Sequence, residues 1–139
     1  MRKVADIMTD EVVTVTVRDN IYEVAVKMKE HDTGFIPVVE GDKLLGVITD
    51  RDLVIRCMAE KRPNSTAVDE IMTRGIKTAS REMSVDEAAE LMAEQQIRRL
   101  PVTEGDRLIG IVSIGDLAVH NIFADNAGEA LSEISERVH

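Results

Sequence analysis

The sequence has very few aromatic residues. Phenylalanine occurs twice, tyrosine once and tryptophan not at all among 139 residues. A core of this composition has to be built from aliphatic side chains and methionine. Recognition of unpaired bases on a stacked aromatic platform is therefore not expected.

Cysteine and positive charge are also scarce. Cys57 is the only cysteine, so one chain can form neither an internal disulfide nor a cysteine-clustered metal site. Its apolar neighbours predict a buried thiol. Three histidines are too few and too scattered for a metal site of the usual spacing. The net charge of −9 argues against duplex nucleic acid as a partner, because such binding needs a basic face.

Long hydrophobic runs are absent from the sequence as well. No apolar stretch approaches the ~20 residues that a membrane helix requires, and the first residues lack the apolar core of a signal peptide. We therefore predict a cytoplasmic protein with no membrane partner. The sequence also supplies no nucleophile with a base, no paired carboxylates and no metal cluster at a common site, so an enzyme is not predicted.

The chain does contain an internal repeat. Shifting the sequence by 64 residues aligns Val4–Leu53 with Val68–Leu117 without a gap, and 18 of these 50 positions are identical. A repeat of this kind determines the fold, because each copy has to form the same structural unit. We predict a first repeat over residues 1–60, a linker over 61–67, a second repeat over 68–124 and a C-terminal helical tail over 125–139.

Each repeat has the pattern of a β-α-β-β-α unit. In the first repeat, Val12 to Val17 is a β-branched stretch, and Asn20 followed by Glu23 predicts the start of a helix with one apolar face. Two short apolar strands around a Gly-Asp turn then predict a hairpin in each repeat. One repeat alone would bury too little surface to be stable, so we expect the two halves to share a core.

The helix predicted after Thr49 is apolar around much of its circumference. Such a helix is usually buried on more than one side, and in a small protein a partner chain can supply the second side. The apolar residues that define it are Leu53, Val54, Ile55, Cys57 and Met58.

The stretch GVITDRDL, Gly46 to Leu53, recurs as GIVSIGDL, Gly110 to Leu117. Both copies run from an apolar strand into a helix start, with a hydroxyl residue at the fourth place and an aspartate at the seventh. A small residue that allows close approach to the backbone, beside a helix start, is typical of a phosphate and ribose site. The alternative is a capping box, in which hydroxyl and acid only satisfy free backbone N–H groups.

These motifs resemble those of a tandem pair of CBS domains, the modules named after cystathionine β-synthase. The likeness rests on VADIMTDEVVTV and VDEIMTRGIKTA at the starts of the repeats, and on FIPVVEGDKLLGVITDRDL and RLPVTEGDRLIGIVSIGDL at their ends. The resemblance implies an α/β (α+β) fold of two repeats related by a pseudo-twofold axis, with small sheets packed face to face and helices outside. It also implies two clefts for adenosine-containing ligands between the repeats, no catalytic domain, and a homodimer.

The resemblance assigns roles to matching positions in both repeats. Asp52 and Asp116 would accept hydrogen bonds from ribose hydroxyls, and Thr49 and Ser113 would donate to phosphate. The remaining positions are those beside adenine, which are Thr14, Val15, Thr78 and Ala79, and those of an apolar wall, which are Ile36, Pro37, Leu100 and Pro101.

The repeats differ in their arginines. The second repeat has Arg98 and Arg99 directly before its Leu-Pro pair, and forked guanidinium groups suit a phosphate clamp. The alternative is a pair of solvated arginines at a strand edge. Arg51, inside the first motif, is a second candidate for a phosphate, and Arg56 and His120 follow one turn later in their respective helices.

Two functions follow from these observations. The first is a regulatory module that senses an adenosyl ligand, such as AMP, ADP, ATP or S-adenosylmethionine, and relays its binding to a target protein; no other cofactor is expected. Such a ligand can act only through different affinities for two arrangements of the protein. The second is a structural module that serves dimerisation and interaction, with empty clefts.

Overall fold

The computed structural model describes residues 2–119, with Val119 lacking a described side chain. The predictions for His120 and for the tail over 125–139 lie outside the described residues. The described part is a mixed α/β structure in which both repeats have the predicted order of strands and helices. The predicted fold class of two tandem β-α-β-β-α repeats is thereby confirmed.

The chain divides into two compact units that do not coincide with the sequence repeats. Among the described residues, the first unit runs from Val13 to Ile76, and the second unit combines residues 2–12 with residues 77–119. Each unit therefore contains the strands of one repeat and the leading segment of the other. The leading segment is residues 2–12 in the first repeat and residues 68–76 in the second.

The first unit begins with a short strand, β1, and ends with a short helix, α3. In β1, only Val15 and Thr16 pair with the next strand, so β1 is shorter than the predicted stretch from Val12 to Val17. The elements are β1 (Val15–Thr16), α1 (Ile21–His31), β2 (Phe35–Glu40), β3 (Lys43–Thr49), α2 (Asp50–Asp52), a π-helical stretch (Leu53–Met58) and α3 (Val68–Ile71).

The second unit repeats this order. Its strand β4 is also short, with only two residues. The elements are a 3-10 turn (Val4–Asp6), β4 (Ala79–Ser80), α4 (Val85–Gln95), β5 (Arg99–Glu104), β6 (Arg107–Ser113) and α5 (Ile114–Val119).

The two long helices begin where their capping residues predict. The Asn20 side chain accepts a hydrogen bond from the Glu23 amide at 2.9 Å, and Ser84 Oγ accepts one from the Glu87 amide at 3.1 Å. Each cap satisfies a backbone N–H that has no partner within the helix. Both helices end at a residue in the left-handed conformation, Asp32 after α1 and Gln96 after α4.

The leading segments are held to their units by paired backbone hydrogen bonds. In the second unit, Thr9 and Ile111 exchange two such bonds, at 2.8 and 2.9 Å. In the first unit, Val47 and Thr73 exchange two bonds of 3.0 and 2.8 Å. The two segments are thus attached in the same way to the last strand of the hairpin in each unit.

An ion pair adds to the attachment of the first segment. Lys3 Nζ donates a hydrogen bond to the Glu82 carboxylate. This bond raises the pKa of Lys3 and lowers the pKa of Glu82. Both groups are exposed, so the pair contributes little to stability.

The buried apolar residues form two clusters, one in each unit, and each cluster uses residues of both repeats. The predicted sharing of core residues between the halves is therefore present, in two clusters instead of one. Val4 and Ile7 complete the cluster of the second unit, and Val68 and Ile71 complete that of the first. The exchanged segments supply the apolar surface that one repeat alone lacks.

The π-helical stretch has one buried side and one open side. Cys57 is buried, as predicted, and burial raises the pKa of its thiol. Val54, Ile55 and Met58 are exposed, by 52, 50 and 73% respectively. Within the described chain, the second apolar side of this helix is therefore uncovered.

Candidate functional site

The predicted site residues of the first unit lie on its three neighbouring strands and in the turn that follows β3. Strand β1 runs parallel to β2, with Val15 beside Val38, and β3 runs antiparallel to β2, with Thr49 opposite Phe35. The start of β2 therefore lies opposite the end of β3, whereas β1 begins beside the middle of β2. This geometry places Ile36 and Pro37 next to the motif of Thr49 and Asp52, and Thr14 and Val15 on the other side of β2.

The second unit repeats this geometry with the same register. Ala79 lies beside Val102, and Ser113 lies opposite Arg99. Arg99, Leu100 and Pro101 thus lie next to the motif of Ser113 and Asp116, and Thr78 and Ala79 lie on the other side of β5. Of these, Leu100 and Pro101 are buried, as are Ile36 and Pro37 in the first unit.

In the first motif, Thr49 and Asp52 form a reciprocal capping box. The Thr49 amide donates to Asp52 Oδ2 at 2.9 Å, and the Asp52 amide donates to Thr49 Oγ1 at 3.1 Å. Asp52 Oδ1 lies 4.0 Å from Arg56 Nη1, and only 14% of the Asp52 side chain is exposed. The capping alternative is therefore realised, but it uses only one carboxylate oxygen.

The second motif has the same box without the arginine. The Ser113 amide donates to Asp116 Oδ2 at 2.8 Å, and the Asp116 amide donates to Ser113 Oγ at 3.0 Å. Among residues 2–119, no cation forms an ion pair with Asp116. Its carboxylate is thus fixed by the turn and keeps acceptor capacity on Oδ1.

The backbone next to β1 has an additional partner that the sequence did not reveal. Lys27 Nζ, from α1, donates to the Thr14 carbonyl at 2.7 Å. The second repeat has Leu91 at the corresponding position, and there Thr103 Oγ1 contacts Thr78 Oγ1 at 3.4 Å. The change from Lys27 to Leu91 between the repeats is the only signal in the sequence for these different contacts of Thr14 and Thr78.

The predicted arginines are all exposed. Arg99 lies opposite Ser113, and the Arg98 carbonyl accepts a hydrogen bond from the Ile114 amide at 3.0 Å. In the described part of the chain, neither side chain forms an ion pair, so both the phosphate clamp and the solvated strand edge remain compatible with the geometry. Arg51 is exposed at the start of α2, and Arg56 Nη1 donates to the Met72 carbonyl at 3.5 Å.

The first glycine of each motif does not provide access for a ligand. A Cβ on Gly46 would lie 2.5 Å from the Thr73 carbonyl oxygen, and a Cβ on Gly110 would lie 2.9 Å from the Thr9 carbonyl oxygen. The prediction that a small residue here lets a ligand approach the backbone is therefore corrected. Each glycine is required because the leading segment crosses the strand at that point.

Residues 2–119 contain neither a metal-binding cluster nor a membrane span. No group of three or more His, Cys, Asp or Glu side chains there could hold a metal ion. None of the helices in this part of the chain combines the length and the hydropathy needed to cross a membrane.

Comparison with known proteins agrees with this arrangement. The CBS domain family matches the chain twice, over residues 4–58 and 68–120. The protein YlbB of Bacillus subtilis is 48% identical over 138 residues, which cover 98% of this chain and 93% of YlbB.

Two solved structures share the fold. Hypoxic Response Protein I, a Mycobacterium tuberculosis protein solved with two coordinated zinc ions, has a TM-score of 0.78 and 36% identity, over 86% of this chain and 99% of that chain. The CBS domain pair of protein MJ0100, in complex with 5′-methylthioadenosine and S-adenosyl-L-methionine, has a TM-score of 0.76 and 30% identity, over 87% of this chain and 96% of that chain. With two matches that together span most of its length, this chain belongs to the CBS domain family as a tandem pair.

Proposed function

We propose that this protein is a regulatory module that binds an adenosine-containing ligand, such as AMP, ADP, ATP or S-adenosylmethionine, at the end of the strands in each unit. The observation that carries the proposal is a carboxylate fixed beside a hydroxyl at this strand end, in both units. The adenosyl ligands bound to the similar MJ0100 pair support it.

The fixed aspartates suit the recognition of a sugar. A ribose presents two neighbouring hydroxyl donors, and an ionised carboxylate is an acceptor only. In Asp52 and Asp116 the capping bond occupies Oδ2, which leaves Oδ1 for a ribose hydroxyl. Because the capping bond also holds the side chain in one orientation, little conformational freedom is lost when a ligand binds.

The surrounding positions suit the rest of an adenosyl ligand. The hydroxyl hydrogens of Thr49 and Ser113 can point to the 5′ group of the ligand, since the two hydroxyl oxygens already accept hydrogen bonds from the aspartate amides. Ile36 with Pro37, and Leu100 with Pro101, are the apolar positions proposed to lie along the purine, and all four are buried in the structure. The base would lie against the backbone of Thr14 and Val15 in the first unit and of Thr78 and Ala79 in the second.

We further propose that the protein acts through binding rather than catalysis, with the ligand as effector and another protein as its target. The similarity to YlbB covers 93% of that protein, so most of YlbB also corresponds to this CBS pair. An effector of this kind works by shifting the balance between two arrangements that bind it unequally.

A second candidate function is a structural module that only dimerises. Two observations favour it: both aspartates already have a capping role, and an apolar helix face is uncovered. In that case the site positions would be degenerate and no adenosyl ligand would bind.

A thermal-shift screen of the purified protein distinguishes the two candidates. At about 100 times its Kd, a ligand that binds only the folded state adds roughly 2.7 kcal/mol to the free energy of unfolding. For a chain of this length, Tm then rises by several degrees. We expect such a rise with at least one of AMP, ADP, ATP, S-adenosylmethionine and 5′-methylthioadenosine. No rise with any of them at millimolar concentration would favour the structural module.

We propose that the protein is a homodimer and that the uncovered face of Val54, Ile55 and Met58 lies in its interface. Three large apolar side chains exposed side by side on one helix are unusual for a monomer. The double variant Val54→Asp/Met58→Glu is expected to sediment as a monomer in analytical ultracentrifugation, because charges would be buried without partners. Lys43→Glu, a charge reversal at the exposed start of β3, should leave the dimer intact. A dimer that survives the double substitution would contradict this interface.

A further inference from the structure

The two proposed sites differ in charge at two places. One is the start of β2 in the first site and of β5 in the second, and the other is the start of α2 in the first site and of α5 in the second. The repeat offset of 64 residues pairs four positions in each site. In the first site these positions carry one negative and one positive charge, which sum to zero, whereas in the second site they carry two positive charges. The four pairs are Gly34 with Arg98, Phe35 with Arg99, Asp50 with Ile114, and Arg51 with Gly115.

The backbone has the same geometry in both sites. The Asp50 amide donates to the Gly34 carbonyl at 2.9 Å, and the Ile114 amide donates to the Arg98 carbonyl at 3.0 Å. Differences between the sites at these positions therefore come from the side chains.

In the first site the Asp50 carboxylate lies directly over Gly34. A Cβ built on Gly34 would be 2.5 Å from Asp50 Oδ2 and 2.8 Å from its Cγ. Asp50 Oδ1 also accepts a hydrogen bond from the Arg51 amide at 2.8 Å, which fixes the carboxylate there. A negative charge therefore stands at the start of α2, beside Gly34 and next to Thr49 in the chain.

In the second site the same place is positive. Arg98 carries a side chain where Gly34 has none, and Ile114, which replaces Asp50, is buried with 3% exposure. The Asp50 carboxylate therefore has no counterpart in the second site, where the fixed carboxylate is that of Asp116 beside Ser113. Arg98 and Arg99 are both exposed, and Arg99 lies directly opposite Ser113.

The other cations of the first site already have partners. Arg56 Nη1 lies 4.0 Å from Asp52 Oδ1 and donates to the Met72 carbonyl, and Lys27 Nζ donates to the Thr14 carbonyl. Arg51 remains exposed, but it directly follows Asp50 in the chain, whose opposite charge offsets it at the range of a phosphate group.

We infer that the two sites take different classes of adenosyl ligand, an inference that rests on the function proposed above. The second site takes a 5′-phosphorylated adenosine, because two forked guanidinium groups match the charge and geometry of a phosphate. The first site takes an adenosyl ligand without phosphate. Asp50 is the residue that makes this distinction, because its carboxylate repels a phosphate that carries close to two negative charges at pH 7.

Isothermal titration with AMP and with 5′-methylthioadenosine tests this inference. We expect the wild-type chain to bind one AMP, and the double variant Arg98→Gln/Arg99→Gln to bind AMP at least roughly tenfold more weakly while its affinity for 5′-methylthioadenosine is retained. Asp50→Asn, which keeps the Oδ1 acceptor for the Arg51 amide, should bind a second AMP per chain. Tm values without ligand show whether each variant is folded.

The outcomes separate this inference from the proposed function. Two equal AMP sites in the wild type, or AMP affinity unchanged in the arginine variant, would overturn the inference and leave the adenosyl-binding module intact. AMP binding without any binding of 5′-methylthioadenosine would overturn the assignment of the first site. If the wild type binds neither ligand, both the inference and the proposed function fail.

Discussion

Replacing Gly46 with alanine is expected to lower the free energy of unfolding by about 3 kcal/mol, the upper part of the range for overpacking. The added Cβ would lie 2.5 Å from the Thr73 carbonyl oxygen, which is backbone and cannot rotate away. Relief would require breaking the paired hydrogen bonds between Val47 and Thr73. Urea unfolding followed by far-UV circular dichroism measures the effect, since the chain has no tryptophan.

Two other glycines provide the matched series. In Gly110→Ala the nearest atom is the flexible Met8 sulfur at 2.8 Å, followed by the Thr9 carbonyl at 2.9 Å, so we expect a smaller loss of stability. In Gly115→Ala the nearest atom is Ser113 Oγ at 3.5 Å, an ordinary contact between the end of β6 and the start of α5. That variant should be neutral or slightly more stable. Equal effects at Gly46 and Gly115 would contradict the crossing of the leading segment over β3.

Replacing Asp116 with alanine is expected to weaken the binding of the ligand at the second site by roughly 10- to 100-fold, because a charge-assisted hydrogen bond to the sugar is lost. In thermal-shift titrations the ligand-induced rise in Tm should then need a correspondingly higher ligand concentration. The same variant loses the bond from the Ser113 amide, so its Tm without ligand should fall as well.

Glu23→Ala is the control for the loss of a cap. Glu23 Oε1 accepts a hydrogen bond from the Asn20 amide at 3.4 Å at the start of α1, so this carboxylate has a capping role but is not one of the proposed site residues. Its removal should lower Tm to a similar extent and leave the ligand-induced rise unchanged. A rise lost equally in both variants would indicate that Asp116 acts only through stability.

Local signals in the sequence were sufficient for the order of the elements. Asn20 and Ser84 specify helix starts through contacts within three residues, and the Gly-Asp turns specify the two hairpins. The repeat itself was visible because the offset of 64 residues needs no gap. Such features depend on neighbours along the chain, so periodicity and capping rules predict them well.

The exchange of leading segments could not be predicted in this way. The segments VADIMT and VDEIMT are nearly the same, and both bury a valine and an isoleucine at the same spacing. Nothing in either segment therefore indicates which repeat it packs against. The contacts of Gly46 with Thr73 and of Gly110 with Thr9 depend on that exchange, so the role of these glycines was predicted wrongly.

The candidate site was predicted in its main parts, and its asymmetry was not. Thr49 with Asp52 and Ser113 with Asp116 were visible because the motif occurs twice. The place of the Asp50 carboxylate over Gly34 depends on a side-chain contact between two elements, which one sequence does not reveal. The only indication of this contact in the sequence is that Gly34 and Asp50 are both replaced in the second repeat, by Arg98 and Ile114.

The central claim is that an adenosyl ligand binds at the strand ends beside the fixed aspartates. The most direct measurement is a ¹H–¹⁵N correlation titration of the labelled protein with 5′-methylthioadenosine and with AMP. The account predicts that the largest shifts occur at the amides of Thr49 and Ser113, which donate to the aspartate carboxylates. Shifts confined to other parts of the chain, or no shifts with either ligand, would contradict it.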